Sequence, residues 1–72
     1  MKIRTIPQFN AAMQAQGMHM ELVKGRGYLY FNTLEPLSYD TTSEMVYAFN
    51  HLTPEQWMGR AREAWTYFGY TL

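Results

Sequence analysis

The chain has no cysteine, so neither a disulfide bond nor a thiolate site can form. Other catalytic groups are scarce too, with one aspartate, two serines and two histidines among 72 residues. Six basic and six acidic residues cancel, whereas nucleic acids and anionic membranes attract proteins with an excess of positive charge. The sequence therefore predicts no enzymatic activity, no cofactor and no membrane target.

Long apolar runs are also missing. No run approaches the ~18 residues of a membrane span, and Met1-Lys2-Ile3-Arg4 is not followed by the apolar core of a signal peptide. No linker, repeat or low-complexity tract divides the chain. We therefore expect one small domain over residues 1–72, located in the cytoplasm.

Aromatic side chains, in contrast, are abundant: two Trp, six Tyr and four Phe. Each can bury about 150–250 Å², which a domain of this size needs because its single core barely offsets the entropy of the chain. With so many rings on so small a body, some are expected at the surface. Exposed rings favour a homodimer or the binding of another protein.

Two nearly equivalent helix starts bracket the strand-like part of the chain. Thr5-Ile6-Pro7-Gln8 and Thr53-Pro54-Glu55-Gln56 each offer a threonine cap and a glutamine three residues later that can bond back to it. The first helix is predicted over residues 6–16, before Gly17. The second is predicted to end at Gly69 and to bury a stripe of Trp57, Ala61, Ala64, Trp65 and Phe68.

Between the caps, residues 18–23 alternate between apolar and polar, as is typical of a strand. We expect a type II′ hairpin turn at Gly25-Arg26, which pairs Val23 with Tyr28 and Met20 with Phe31. This register places four apolar side chains on one face: Met20, Leu22, Leu29 and Phe31.

The third strand is predicted at residues 45–49, after a longer connection over residues 33–43. Met45, Tyr47 and Phe49 carry the bulk and are placed toward the helices, although the opposite assignment is nearly as good. The predicted fold class is α+β in the order α-β-β-β-α. Its three-stranded antiparallel meander has both helices on one face.

The sheet face opposite the helices is the candidate functional surface. It is predicted to carry Tyr28, Tyr30, His19, Glu21, Val46 and Ala48, with Arg26 in the adjoining turn. Tyrosine is enriched at protein interfaces because one end is apolar and the other tolerates water. We predict that Tyr28, Tyr30, His19, Glu21 and Arg26 contact a protein partner.

A second hypothesis is single-stranded nucleic-acid binding. Arg26-Gly27-Tyr28-Leu29-Tyr30-Phe31 partly matches the aromatic strand signature of RNA-recognition modules, in which Tyr28 and Tyr30 would stack on bases. A local basic patch could form from Arg26, Lys24 and Lys2. However, Leu29 stands where a small residue belongs, no strand precedes the first helix, and the net charge is zero. Nucleic acid is therefore the weaker of the two candidate partners.

The residue types of a catalytic or metal site occur in the chain, but without the motifs and spacing that such sites need. Ser43, His51 and Asp40 would form a triad, but no nucleophile elbow accompanies them. His19, Glu21 and His51 could touch an ion, but zinc sites use cysteines or more histidines at tighter spacing. The turn at Lys24-Gly25-Arg26-Gly27 lacks the length and the following helix of a phosphate loop. No catalytic or metal-binding residue is predicted.

Two strings resemble a group of short proteins carried by bacteriophages and plasmids: Gly25-Arg26-Gly27-Tyr28-Leu29-Tyr30-Phe31 and Val46-Tyr47-Ala48-Phe49-Asn50-His51-Leu52-Thr53-Pro54-Glu55-Gln56-Trp57. The resemblance brings no catalytic residue with it. It implies a gene on a mobile element and a bacterial cytoplasm as the location. Small proteins of this origin often mask a host protein, as anti-CRISPR and other anti-defence proteins do. The expected function is therefore stoichiometric binding to a larger host protein.

Overall fold

The computed structural model describes residues 3–37 and 40–71, and these form a helical layer on an open sheet. The elements in chain order are α1 (Ile6–Ala15), β1 (Met20–Lys24), β2 (Leu29–Thr33), β3 (Thr41–Glu44), a 3-10 turn (Phe49–His51) and α2 (Pro54–Tyr67). The sheet is antiparallel in the order β1-β2-β3. The predicted α-β-β-β-α fold class is confirmed. Lys2 lies outside the described residues.

Both predicted helix starts are confirmed. The N–H of Gln8 donates to Thr5 Oγ1 at 3.3 Å, and the N–H of Gln56 donates to Thr53 Oγ1 at 3.1 Å. Each glutamine Oε1 accepts in return from the N–H of its threonine. Such a cap contributes about 1 kcal/mol, which explains how a ten-residue helix holds its first turn.

The core is one cluster between the helices and a single face of the sheet. Its buried members are Phe9, Met13, Met18, Met20, Leu22, Leu29, Phe31, Trp57, Met58, Ala61, Ala64 and Trp65. Trp57 lies at the centre: its ring stacks on Phe49 at 5.8 Å and meets Phe31 edge-on at 6.3 Å. Its Nε1–H donates to the Phe49 carbonyl at 2.6 Å. Burying a side chain of this kind contributes roughly 2–3 kcal/mol.

The register of the β1–β2 hairpin differs from the prediction by two residues. Val23 pairs with Tyr30 and Leu22 with Phe31, and the Gly25 N–H donates to the Tyr28 carbonyl at 2.8 Å. The type II′ turn at Gly25-Arg26 is therefore wrong, because the positive φ of +75° lies at Gly27. A slip of two residues keeps every side chain on its face, since side chains alternate with period two. The predicted apolar face is consequently correct.

The position of the third strand was predicted wrongly. β3 is formed by Thr41–Glu44, within the segment that was expected to be a connection. The bulky segment that follows leaves the sheet, and Met45 and Tyr47 are exposed instead of facing the helices. Val46 was expected on the outer face, yet it packs partly against the core. The physical reason is Phe49, whose ring packs against the contacting rings of Trp57 and Phe9 and so directs the chain toward α2.

Neither α1 nor α2, the helices of the described residues, has both the length and the apolar character needed to cross a membrane.

Candidate functional site

The outer edge of β1 is closed by side chains of α1. Asn10 Nδ2 donates to the Leu22 carbonyl at 3.2 Å, and Asn10 Oδ1 accepts from the Leu22 N–H at 2.8 Å. One turn later, Gln14 Nε2 donates to the Met20 carbonyl at 3.1 Å. Main-chain groups that would otherwise recruit a neighbouring strand are satisfied within the chain.

The outer edge of β3 is open. The Thr33 N–H donates to the Asp40 carbonyl at 3.0 Å, and hydrogen bonding alternates along an antiparallel ladder. Thr42 and Glu44 therefore direct their main-chain groups toward β2, while Thr41 and Ser43 direct theirs away from it. No strand among the described residues lies on that side, since β3 ends the strand order. One edge of this sheet is thus closed and the other is available.

Four large apolar side chains are exposed among the described residues, and they line a cleft and a groove on the two faces of the sheet at β3. They are Tyr28 (39% exposed), Met45 (90%), Tyr47 (72%) and Tyr67 (79%), which we call the β3 rim. The first three line a cleft of about 290 Å³ together with Gly27 and Ser43. Tyr67 lies on the helix side of the sheet, in a groove that it shares with Thr42 and Glu44. Apolar surface therefore flanks both sides of β3.

Tyr28 and Tyr30 lie side by side on the outer face, with ring centroids 5.9 Å apart and an angle of 42° between the rings. Tyr30 is half-buried and lies between Val23 of β1 and Ser43 of β3. The Tyr28 ring covers Gly25, where an added Cβ would stand 3.2 Å from the ring. The absence of a side chain at Gly25 thus leaves room for the Tyr28 ring.

The other predicted site residues do not converge on the tyrosines. Arg26 is exposed in the hairpin turn beside them. His19 and Glu21 lie toward the other end of β1, where Glu21 is half-buried opposite Asn32. His19 Nε2–H donates to the Glu35 carbonyl at 2.6 Å, so this side chain tethers the connection between β2 and β3.

Three residues of the cleft and groove were missed by sequence reasoning about the site: Met45, Tyr47 and Tyr67. Met45 and Tyr47 were assigned to the core because of their bulk. Tyr67 lies off the apolar stripe of α2, and an aromatic side chain on the polar side of a helix is the signal that could have identified it.

One ion pair lies at the groove between β3 and α2. Arg60 Nη1 donates to Glu44 Oε2 at 3.2 Å, with the Glu44 side chain 15% exposed and that of Arg60 42% exposed. Burial raises the pKa of Glu44, and the Arg60 guanidinium opposes this increase only in part. The nearby Glu63 carboxylate raises the pKa further. The pair therefore neutralises a partly buried charge at the open edge of the sheet.

The polar residues considered for catalysis lie apart. Ser43 lines the tyrosine cleft, whereas His51 lines a separate groove at the start of α2 with Arg4. The described residues contain no group of three or more His, Asp or Glu side chains arranged to hold a metal ion. Lys24 pairs with buried Leu29, which places it on the helix side of the sheet, away from Tyr28 and Tyr30.

Comparison with protein-family models, curated proteins and solved structures yields no match to this chain.

Proposed function

We propose that this is a non-enzymatic binding protein that acts by stoichiometric attachment of its outer sheet face to a larger protein. The observation that supports this proposal is the cleft lined by Tyr28, Met45 and Tyr47. Exposed tyrosine and methionine around an apolar depression are typical of interface centres. The neutral charge of the chain also suits a protein partner that is bound by apolar contact.

The resemblance to short phage and plasmid proteins supports the choice of partner. The resemblance implies a gene on a mobile element in a bacterial cytoplasm, and small proteins of this origin often act by masking a host protein. We therefore propose a host protein or complex as the partner, with anti-CRISPR or other anti-defence inhibition as the biological outcome. This part of the proposal depends on the resemblance and not on the geometry.

Single-stranded nucleic-acid binding is the second candidate, and the adjacent rings of Tyr28 and Tyr30 favour it. Little positive charge lies near the two rings to attract phosphate groups. Of the residues in the expected basic patch, Arg26 adjoins the rings, but Lys24 lies on the other side of the sheet. A protein that binds phosphates loses affinity steeply as salt rises. A flat oligonucleotide titration at low salt would eliminate this candidate.

Capture from bacterial lysate with a matched pair of variants tests the proposal. Tyr28→Ala combined with Tyr47→Ala removes two rings of the cleft and should abolish capture of the partner at unchanged circular dichroism. Tyr67→Ala removes a ring on the helix side that is 79% exposed, against 72% for Tyr47, and should leave capture intact. If the double variant captures the same protein in the same ratio as the unmodified chain, the outer face is not the binding surface.

A further inference from the structure

We propose that β3 pairs with β3 of a second copy of this chain, which joins two three-stranded sheets into one six-stranded antiparallel sheet. A two-fold axis would pass through the centre of the joined edge. The inference concerns the edge of the sheet, which shares Ser43 and Met45 with the cleft on the outer face. It starts from the contrast between the β1 edge, which Asn10 and Gln14 close, and the β3 edge, which is open.

The charges of the edge single out one register. Thr41 and Ser43 direct their main-chain groups outward, so these are the residues that can bond to the second copy. Two symmetric registers use these groups and pair three β3 residues of each copy. One is centred on Thr42 and the other on Ser43. Centring on Thr42 places Glu44 opposite Asp40 of the second copy, and this occurs twice by symmetry. Opposed carboxylates destabilise a strand pair. Centring on Ser43 places Glu44 opposite Thr42, so no carboxylate lies directly opposite another.

The same register covers part of the β3 rim. Met45, which is 90% exposed, follows β3 where the Val46 N–H bonds back to the Glu44 carbonyl, so it would lie beside the Thr41 end of the second copy without pairing with it. On the helix side, Tyr67 and the groove beside Glu44 would face the equivalent groove of the second copy. Glu44 keeps its own counterion in Arg60, so pairing buries no unpaired charge there.

The size of the contact sets the expected affinity. A stable interface removes about 800 Å² from each partner, whereas this one consists of a four-residue strand and two rim side chains. We therefore expect a reversible dimer with a dissociation constant on the order of micromolar, in fast exchange with the monomer.

A charge-swap experiment tests the register. In the Ser43-centred pairing, Ser43 of one copy lies opposite Ser43 of the other. A homodimer of Ser43→Lys therefore places two positive charges together, and a homodimer of Ser43→Glu places two negative charges together. Each variant should dissociate about fivefold more readily than the unmodified chain, and their equimolar mixture should form a heterodimer. Sedimentation equilibrium of the purified chains measures both effects. Thr66→Lys and Thr66→Glu add the same charges at an exposed position of α2 and should leave the dimer unchanged.

Ser43→Pro provides a second, independent variant. Proline lacks a main-chain N–H, and the N–H of Ser43 points away from β2. The β2–β3 ladder and the circular dichroism should therefore persist while the dimer is lost. The inference is overturned if the unmodified chain stays monomeric at millimolar concentration. It is also overturned if the Lys and Glu variants show no preference for each other over themselves.

Discussion

Asn10 forms with Leu22 both of the hydrogen bonds that a neighbouring strand would form there. Its Nδ2 donates to the Leu22 carbonyl at 3.2 Å and its Oδ1 accepts from the Leu22 N–H at 2.8 Å. Gln14 repeats half of this arrangement at Met20. Helix α1 thus takes the place of a fourth strand, and within the described part of the chain the open edge of the sheet is that of β3.

Replacing this side chain should be costly. Asn10→Ala leaves two main-chain groups of a buried strand residue without their partner, and we expect a loss of about 1–3 kcal/mol in the free energy of unfolding. Asn50→Ala, at an exposed position of the 3-10 turn, is the matched control and should stay within about 0.5 kcal/mol. Chemical denaturation measures both values. Equal losses in the two variants would show that the Asn10 contact contributes little.

The pH dependence of stability should reveal the partly buried carboxyl of Glu44. Its pKa is raised by burial, so the folded state binds the proton more tightly than the unfolded state does. The resulting stabilisation is complete below the ordinary glutamate pKa of about 4.3 and is lost as the pH rises through the raised value. Glu44→Gln should therefore be more stable than the unmodified chain near neutral pH, by a few tenths of a kcal/mol, with the difference vanishing below about pH 4.

Removing Arg60 should have the opposite effect. Arg60→Met leaves the Glu44 carboxylate without its counterion, so we expect a loss of up to about 1 kcal/mol near neutral pH that is recovered as Glu44 becomes protonated. Arg62→Met is the control, because Arg62 donates to the neutral side chain of Gln16. Denaturation curves across the acid range give the comparison. A loss in Arg60→Met that is the same at every pH would mean that the contact contributes through packing and not through charge.

The hairpin turn gives a conformational prediction. Gly27 has a φ of +75° and open space around an added Cβ, so Gly27→Ala should cost about 1 kcal/mol through backbone strain alone. Gly27→Asn should cost less, because asparagine tolerates positive φ. Thermal unfolding of the two variants tests this. A Gly27→Ala variant as stable as the unmodified chain would contradict the positive φ at Gly27.

The features that could be predicted from the sequence are local ones. The two capping boxes depend on residues three apart, and the apolar face of the hairpin depends on alternation, which survives a slip of two residues. The choice between Gly25 and Gly27 for the positive φ is not encoded in that alternation. For this reason the faces were predicted correctly and the register was not.

The errors in the third strand have a tertiary origin. Thr41-Thr42-Ser43-Glu44 contains no apolar side chain, and it forms a strand because β2 supplies the pairing and Arg60 supplies a counterion for Glu44. The alternating bulk after it resembles a strand, but Phe49 gains more from the rings of Trp57 and Phe9. The same error affects the predicted site. Tyr28 and Tyr30 were placed correctly on the outer face, whereas Met45 and Tyr47 were assigned to the core because the third strand was placed at their positions.

Amide hydrogen exchange at Leu22 and Ser43 tests the central claim, that one edge of the sheet is closed by α1 and the other is free to bind. In dilute solution the Leu22 amide should be protected by Asn10, and the Ser43 amide should exchange quickly. As the concentration of the chain rises, protection should appear at Ser43 while that at Leu22 stays constant. A Ser43 amide that is protected at every concentration, or a Leu22 amide that exchanges as fast as Ser43, would contradict the account.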